Sequence, residues 1–188
     1  MNTKNYYYFK GERTYIQSGN IFDDILAKSL TVSPTHIDFK LSRITKKMWY
    51  LVTDKNLFSA DSIIGQYKDD TTELFILESD QDVSERQPYD EDGLIRDLGI
   101  DTNKAKVPDG LIGFSFIEKA NAAFKTLLKQ SVCPEKRIHY VFVRLTLDHI
   151  PADGFTIRYR RTIAEKFYEG EIIEFEVVIG NIYFSGEN

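Results

Sequence analysis

The sequence is poor in several things, and each shortage excludes a class of protein. Its 188 residues include one cysteine, five prolines, three histidines and one tryptophan. The lone thiol, Cys133, can close no internal disulfide and cannot build a cysteine-rich zinc site, so a reducing compartment is expected. No apolar run approaches the roughly 20 residues that a membrane helix needs. Met1 to Lys10 lacks the apolar stretch of a signal peptide, which makes a cytoplasmic location the expectation. Positive charge is also in deficit, with 24 Lys and Arg against 29 Asp and Glu, a net −5. A general nucleic-acid binder needs the opposite balance to release phosphate counterions.

What is present is ordinary for a globular chain: 42% hydrophobic and 28% charged residues. Thirteen Phe and eleven Tyr supply much apolar area per residue. The length suits one large domain or two small ones with a real core. Charge is uneven. Residues 69–101 hold twelve acids and two arginines, a net −10, which leaves the remainder at +5. This block reads as a solvated loop with one helical turn around Leu94 to Leu98. Asp90, Glu91 and Asp92 raise a metal site as the alternative, although EF-hand spacing is absent.

Two helices stand out. Ile21, Phe22, Ile25 and Leu26 have helical spacing after Ser18-Gly19-Asn20, which offers cap and turn chemistry, and predict a helix over 20–30. Phe116, Ile117, Ala120, Ala123, Phe124, Leu127 and Leu128 form one stripe and predict a longer helix to Gln130. Ser115 and Glu118 have capping-box spacing, and Gly113 marks the turn before it. Strands are expected at Asn5 to Phe9, Thr14 to Gln17, His36 to Ile44, Met48 to Thr53 and Glu73 to Glu78. In the second half they are expected at Ile138 to Leu147, Phe155 to Ile163, Glu171 to Ile179 and Asn181 to Ser185. Glu169-Gly170 and Gly180-Asn181 read as the turns between them. Helix followed by antiparallel strands is an α+β layout, and it occurs twice. The chain is therefore either one compact unit over 1–188 or a duplication, with halves 1–80 and 107–188 and an acidic connector at 81–106.

Gly113-Phe114-Ser115-Phe116-Ile117-Glu118-Lys119-Ala120-Asn121 resembles the central-helix start of the hotdog-fold 3-hydroxyacyl-thioester dehydratases. Gly113 and Glu118 match the family's glycine and acidic positions, and Asn121 lies one residue short of its amide. Phe155 to Val177 is similar to the family's strand, turn and strand, with Glu169-Gly170-Glu171 at the turn but no proline. The match covers residues 107–186. It implies a long central helix packed on an antiparallel sheet, in one hotdog unit or in two as in proteins of the A-factor-synthase type. It also implies an acyl-CoA or acyl-carrier-protein thioester as partner, within fatty-acid or polyketide-type metabolism, and a homodimer or internal pseudo-dimer. No cofactor or metal is expected. The family's acid/base histidine is missing, because Asn103 to Asp109 contains none. Thioester hydrolysis asks for less, namely a carboxylate, helix N-terminal amides and a water.

On that resemblance Glu118 is the acid/base, Asn121 positions water or carbonyl, and the backbone at Gly113 and Phe114 forms an oxyanion site. Glu118 has a second reading as the cap of its own helix. His149, beside Asp148 at a strand end, is a further catalytic candidate or an exposed turn residue. Arg158 and Arg160 alternate on one strand face, with Arg161 on the other. They could grip a ligand phosphate or balance acids on a solvated face. The rival to an enzyme is a binding protein that keeps the fold without the chemistry.

Overall fold

The computed structural model describes residues 7–29, 33–134 and 138–187. Two helices lie on an antiparallel sheet of ten strands, an α+β arrangement. In the first half, α1 (Ser18–Lys28) is followed by β2 (Thr35–Leu41), β3 (Lys47–Val52), β4 (Ile63–Lys68) and β5 (Glu73–Asp82). A two-residue strand, β1 (Phe9–Lys10), pairs in parallel with β6 (Arg86–Gln87) apart from the main sheet. A short helix, α2 (Glu91–Arg96), leads into β7 (Gly99–Asp101) and β8 (Lys104–Val107). Then come α3 (Phe116–Leu127), β9 (His139–His149), β10 (Phe155–Ile163), β11 (Phe167–Glu174) and β12 (Val177–Glu187). The order across the sheet is β3-β5-β4-β2-β9-β12-β11-β10-β8-β7, so β2 and β9 join the halves.

The two helices bury their stripes against matching rings on the sheet. Phe22 of α1 meets Phe39 on β2 at 5.2 Å and Tyr67 on β4 at 6.4 Å between centroids. Asp24, also on α1 and buried, accepts a hydrogen bond from the Trp49 indole on β3 at 3.0 Å. Phe116 and Phe124 of α3 pack on Phe155 and Phe184 at 5.2 and 5.4 Å. At the seam Phe39 stacks on Phe142 of β9 at 5.4 Å, which joins both halves into one core. Residue for residue, α3 starts as its capping box requires. Ser115 Oγ accepts from the Glu118 amide, and Glu118 Oε2 accepts from the Ser115 amide at 2.7 Å. Gly113, with φ +92°, makes the turn into it in the left-handed region that glycine tolerates.

Several expectations need correction. Thr14 to Gln17 forms no strand; the Ile16 amide donates to Thr45 O and the segment runs straight into α1. Of the first expected strand only Phe9 is in one, and residues 5 and 6 lie outside the described residues. Gln17 is the N-cap of α1, so Ser18, Gly19 and Asn20 sit inside its first turn. The acidic block is more ordered than a loop: the expected strand runs on to Asp82 as the ten-residue β5, the expected helical turn is α2 at Glu91–Arg96, and β6 and β7 lie there as well. Its acids are placed on strand faces and caps: Asp90 caps α2 by accepting from the Gly93 amide at 2.8 Å. Glu169-Gly170-Glu171 lies inside β11 and Gly180-Asn181 inside β12. The hairpin turns fall instead at Ala164-Glu165 and Phe175-Glu176, four non-glycine residues with positive φ. Turn chemistry that favours glycine and asparagine points elsewhere for that reason.

Candidate functional site

A cleft of about 80 Å³ opens between the start of α1, the middle of α3 and the ends of β2 and β9. Its floor is apolar, from Ile21, Phe142 and Phe184. Polar groups reach it from four places. Ser18 lies in the first turn of α1, where the Asn20 amide donates to Gln17 O at 3.0 Å. Asn121 faces it from α3 and donates from Nδ2 to Ser18 Oγ at 2.9 Å. That bond uses the acceptor side of the serine and leaves its O–H free to donate. The Asn121 Oδ1 is buried, and no donor among the described residues reaches it. A buried acceptor left this way costs about 1–3 kcal/mol.

Charge rings the mouth. Arg13 and Glu91 pair at 2.5 Å, Lys125 reaches the other Glu91 oxygen at 3.6 Å, and Arg13 lies over the Tyr89 ring at 5.3 Å. Burial pushes the Tyr89 phenol above its ordinary range; Glu118 and Glu91 push it further and Arg13 opposes them. It therefore stays protonated at neutral pH. Arg43, on the far rim, donates to Asp61 O at 2.8 Å and Glu78 at 3.1 Å.

Glu118 lines the same cleft, but both of its oxygens are engaged. Oε1 accepts from Lys10 Nζ at 2.6 Å, with the two side chains only 6% and 10% exposed, and Oε2 caps the helix through Ser115. Gly113 and Phe114 do not line the cleft; Phe114 meets the Tyr89 ring edge-on at 6.1 Å just outside it. None of the three histidines lines it either. His139 lies edge-on at 6.5 Å from Tyr15 at the margin, and His36 bonds Asp70. His149 sits at the end of β9, paired with Glu174 at 2.6 Å. Among the described residues, no three His, Cys, Asp or Glu side chains gather to hold a metal ion.

Arg158 and Arg160 lie outside the cleft on the second half of the sheet. Arg158 bonds Glu171 at 2.6 Å and Arg160 bonds Glu169 at 3.0 Å. A bulge between Tyr159 and Arg161 breaks the alternation, so Arg161 joins Arg160 on Glu169 instead of facing away. Burial pushes the Glu169 carboxyl up, but hydrogen bonds from Arg161 and Tyr183 and the Arg160 charge outweigh it and hold it below its ordinary value. A depressed folded pKa contributes stability that is present above the unfolded value and lost as pH falls through the folded one. Denaturation at stepped pH should show wild type losing stability below about pH 4.3, the ordinary glutamate value, more steeply than Glu169→Gln. Parallel curves would mean that Glu169 is not held as described.

The sequence singled out Glu118 and Asn121, raised Glu91 only as part of a metal alternative, and missed Ser18, Arg13, Arg43 and Tyr89 as cleft residues. Ser18-Gly19 was visible as helix-start chemistry, but nothing local says that this start faces Asn121. No family model matches the chain, and no curated protein matches it. Among solved structures the chain is similar to a candidate thioesterase II from Thermobifida fusca YX, at 10% identity over 98% of this chain and 90% of that one, with TM-score 0.49. It is also similar to the tesB protein of Mycobacterium avium subs paratuberculosis, at 9% identity over 96% and 91%, with TM-score 0.48. A third is the dehydratase domain from the CurK module of Curacin polyketide synthase, at 8% identity over 93% and 84%, with TM-score 0.45. No helix among the described residues is long and apolar enough to cross a membrane.

Proposed function

We propose that the protein binds a short acyl thioester, carried on coenzyme A or an acyl-carrier protein, in the cleft between α1 and α3. The observation that carries this reading is the pair Ser18 and Asn121. The serine O–H supplies a donor for a thioester carbonyl, at the positive end of an eleven-residue helix. The unpartnered Asn121 Oδ1 supplies an acceptor for a pantetheine amide N–H. The acyl group is short because the space beyond the cleft is filled by Phe22, Phe39, Phe124, Phe142 and Phe184. Binding ranks above catalysis because Glu118 is already committed to Lys10 and Ser115. We also read the chain as two hotdog units, so that α1 and α3 form an internal pseudo-dimer.

One observation favours hydrolysis as the second reading. The same Asn121 Oδ1 could hold a water over the carbonyl instead of an amide. Incubation with acyl, 3-hydroxyacyl and enoyl thioesters, read by native and product mass spectrometry, separates the two. Retention of a short acyl thioester without product, weakened at least tenfold in Asn121→Ala, is the expected result. Product formed by wild type and lost in that variant would replace binding by hydrolysis. Neither retention nor product would sink both.

A further inference from the structure

The outer face of the sheet holds a larger space that the thioester reading does not use. It is a groove of about 420 Å³ over β2, β4 and β5, with Lys55 and Ala60 also in its lining. We propose that this groove is a second binding site, for a small amphiphilic carboxylate. Its volume is that of ordinary small-molecule clefts. Its floor is apolar, with Ile63, Phe75 and Val143.

Register supplies the charge. Arg144, Lys40, Gln66 and Phe75 stand in one row across β9, β2, β4 and β5. Two cations directly opposite each other on neighbouring strands repel, so the arrangement costs stability unless anions offset it. Asp38 offsets Arg144 through two 2.8 Å bonds. Glu73, the acid on the far side of the row, accepts from the Gln66 amide instead of from Lys40. Lys40 is exposed, and no acid among the described residues pairs with it. From the opposite wall Lys55 lies over the Phe75 ring, 5.4 Å from its centroid, and likewise has no acid there. The groove thus presents two ammonium groups over an apolar floor, in a chain whose net charge is −5.

That pairing selects the ligand. A hydrated inorganic anion leaves the floor uncovered, and a neutral lipid leaves the two lysines unmatched. A carboxylate head between Lys40 and Lys55, with an apolar body on Phe75, Ile63 and Val143, matches both. Leu41 is the one residue in both linings, so the groove and the α1–α3 cleft are neighbours on opposite sides of β2.

Octanoate is the probe. Titration calorimetry and thermal melting of the full chain should show saturable binding and a Tm that rises with octanoate concentration. Acetate, the head without the body, and 1-octanol, the body without the head, should each bind at least tenfold more weakly. Lys40→Glu combined with Lys55→Glu should weaken octanoate at least tenfold, with Lys40→Gln combined with Lys55→Gln as the milder pair. Asn121→Ala should leave octanoate binding unchanged, which separates this site from the thioester cleft. The proposal is overturned by no octanoate binding, by equal affinity for 1-octanol, by binding that survives both lysine pairs, or by loss in Asn121→Ala.

Discussion

Glu118→Ala should lose about 3–5 kcal/mol of folding stability, the usual result of leaving one member of a buried ion pair alone. Lys10 is 5% exposed, and its ammonium is within 2.6 Å of Glu118 Oε1. With the carboxylate gone, that charge has, among the described residues, the Tyr8 and Tyr89 ring faces, 5.9 and 5.5 Å away. The variant also loses its half of the capping box, where Oε2 accepts from the Ser115 amide. Lys10→Met with Glu118→Ala removes the stranded charge and should recover most of the loss, because a buried pair and an apolar replacement are often close in energy. Urea unfolding of wild type, both single variants and the double variant completes the cycle. A single variant within 1 kcal/mol of wild type would mean that the pair is not buried as described. The same cycle tells a stability effect from a chemical one. A thioester activity that returned in the double variant would exclude Glu118 as its base.

Phe124→Ala should cost about 3–5 kcal/mol, as expected for a fully buried aromatic truncated in a packed core. The ring sits between α3 and the sheet, 5.4 Å from Phe184, and it rests on Gly170 of β11. A Cβ at Gly170 would come within 2.7 Å of the Phe124 ring and 3.0 Å of Ile157. Gly170 is therefore a point of close approach between helix and sheet, and Gly170→Ala alone should cost about 1–3 kcal/mol by overpacking. The two substitutions act on one space. Gly170→Ala with Phe124→Leu should be less destabilised than the sum of its parts, with a coupling of about 0.5–3 kcal/mol in thermal or denaturant unfolding. Additive losses would show that the ring and the glycine do not share that space.

Local signals carried the sequence reading where structure is local. The α3 stripe, its Ser115–Glu118 box and the glycine before it gave the helix its place, because capping and i, i+4 packing act within a few residues. Alternation likewise placed β2, and the continuous apolar run at Met48 to Thr53 placed β3. The acidic block misled, because charge density says nothing about which face of a strand each acid occupies. In β5, Phe75, Ile76 and Leu77 are buried, while the acids lie at its ends or bind partners such as Thr45. The hairpin turns misled for a similar reason. Strand pairing on both sides holds Ala164, Glu165, Phe175 and Glu176 at positive φ against their own preference.

By itself, then, the sequence determined an α+β chain with two helix-and-strand halves, a capped α3, and Glu118 and Asn121 on its first turns. Tertiary structure alone decided what those two residues touch. Lys10 reaches Glu118 across 108 residues and turns a candidate base into half of a buried pair. Ser18 reaches Asn121 across 103 residues and turns a helix start and an amide into one cleft. Neither contact has a local signature, because both depend on β2 and β9 pairing at the seam and bringing α1 against α3.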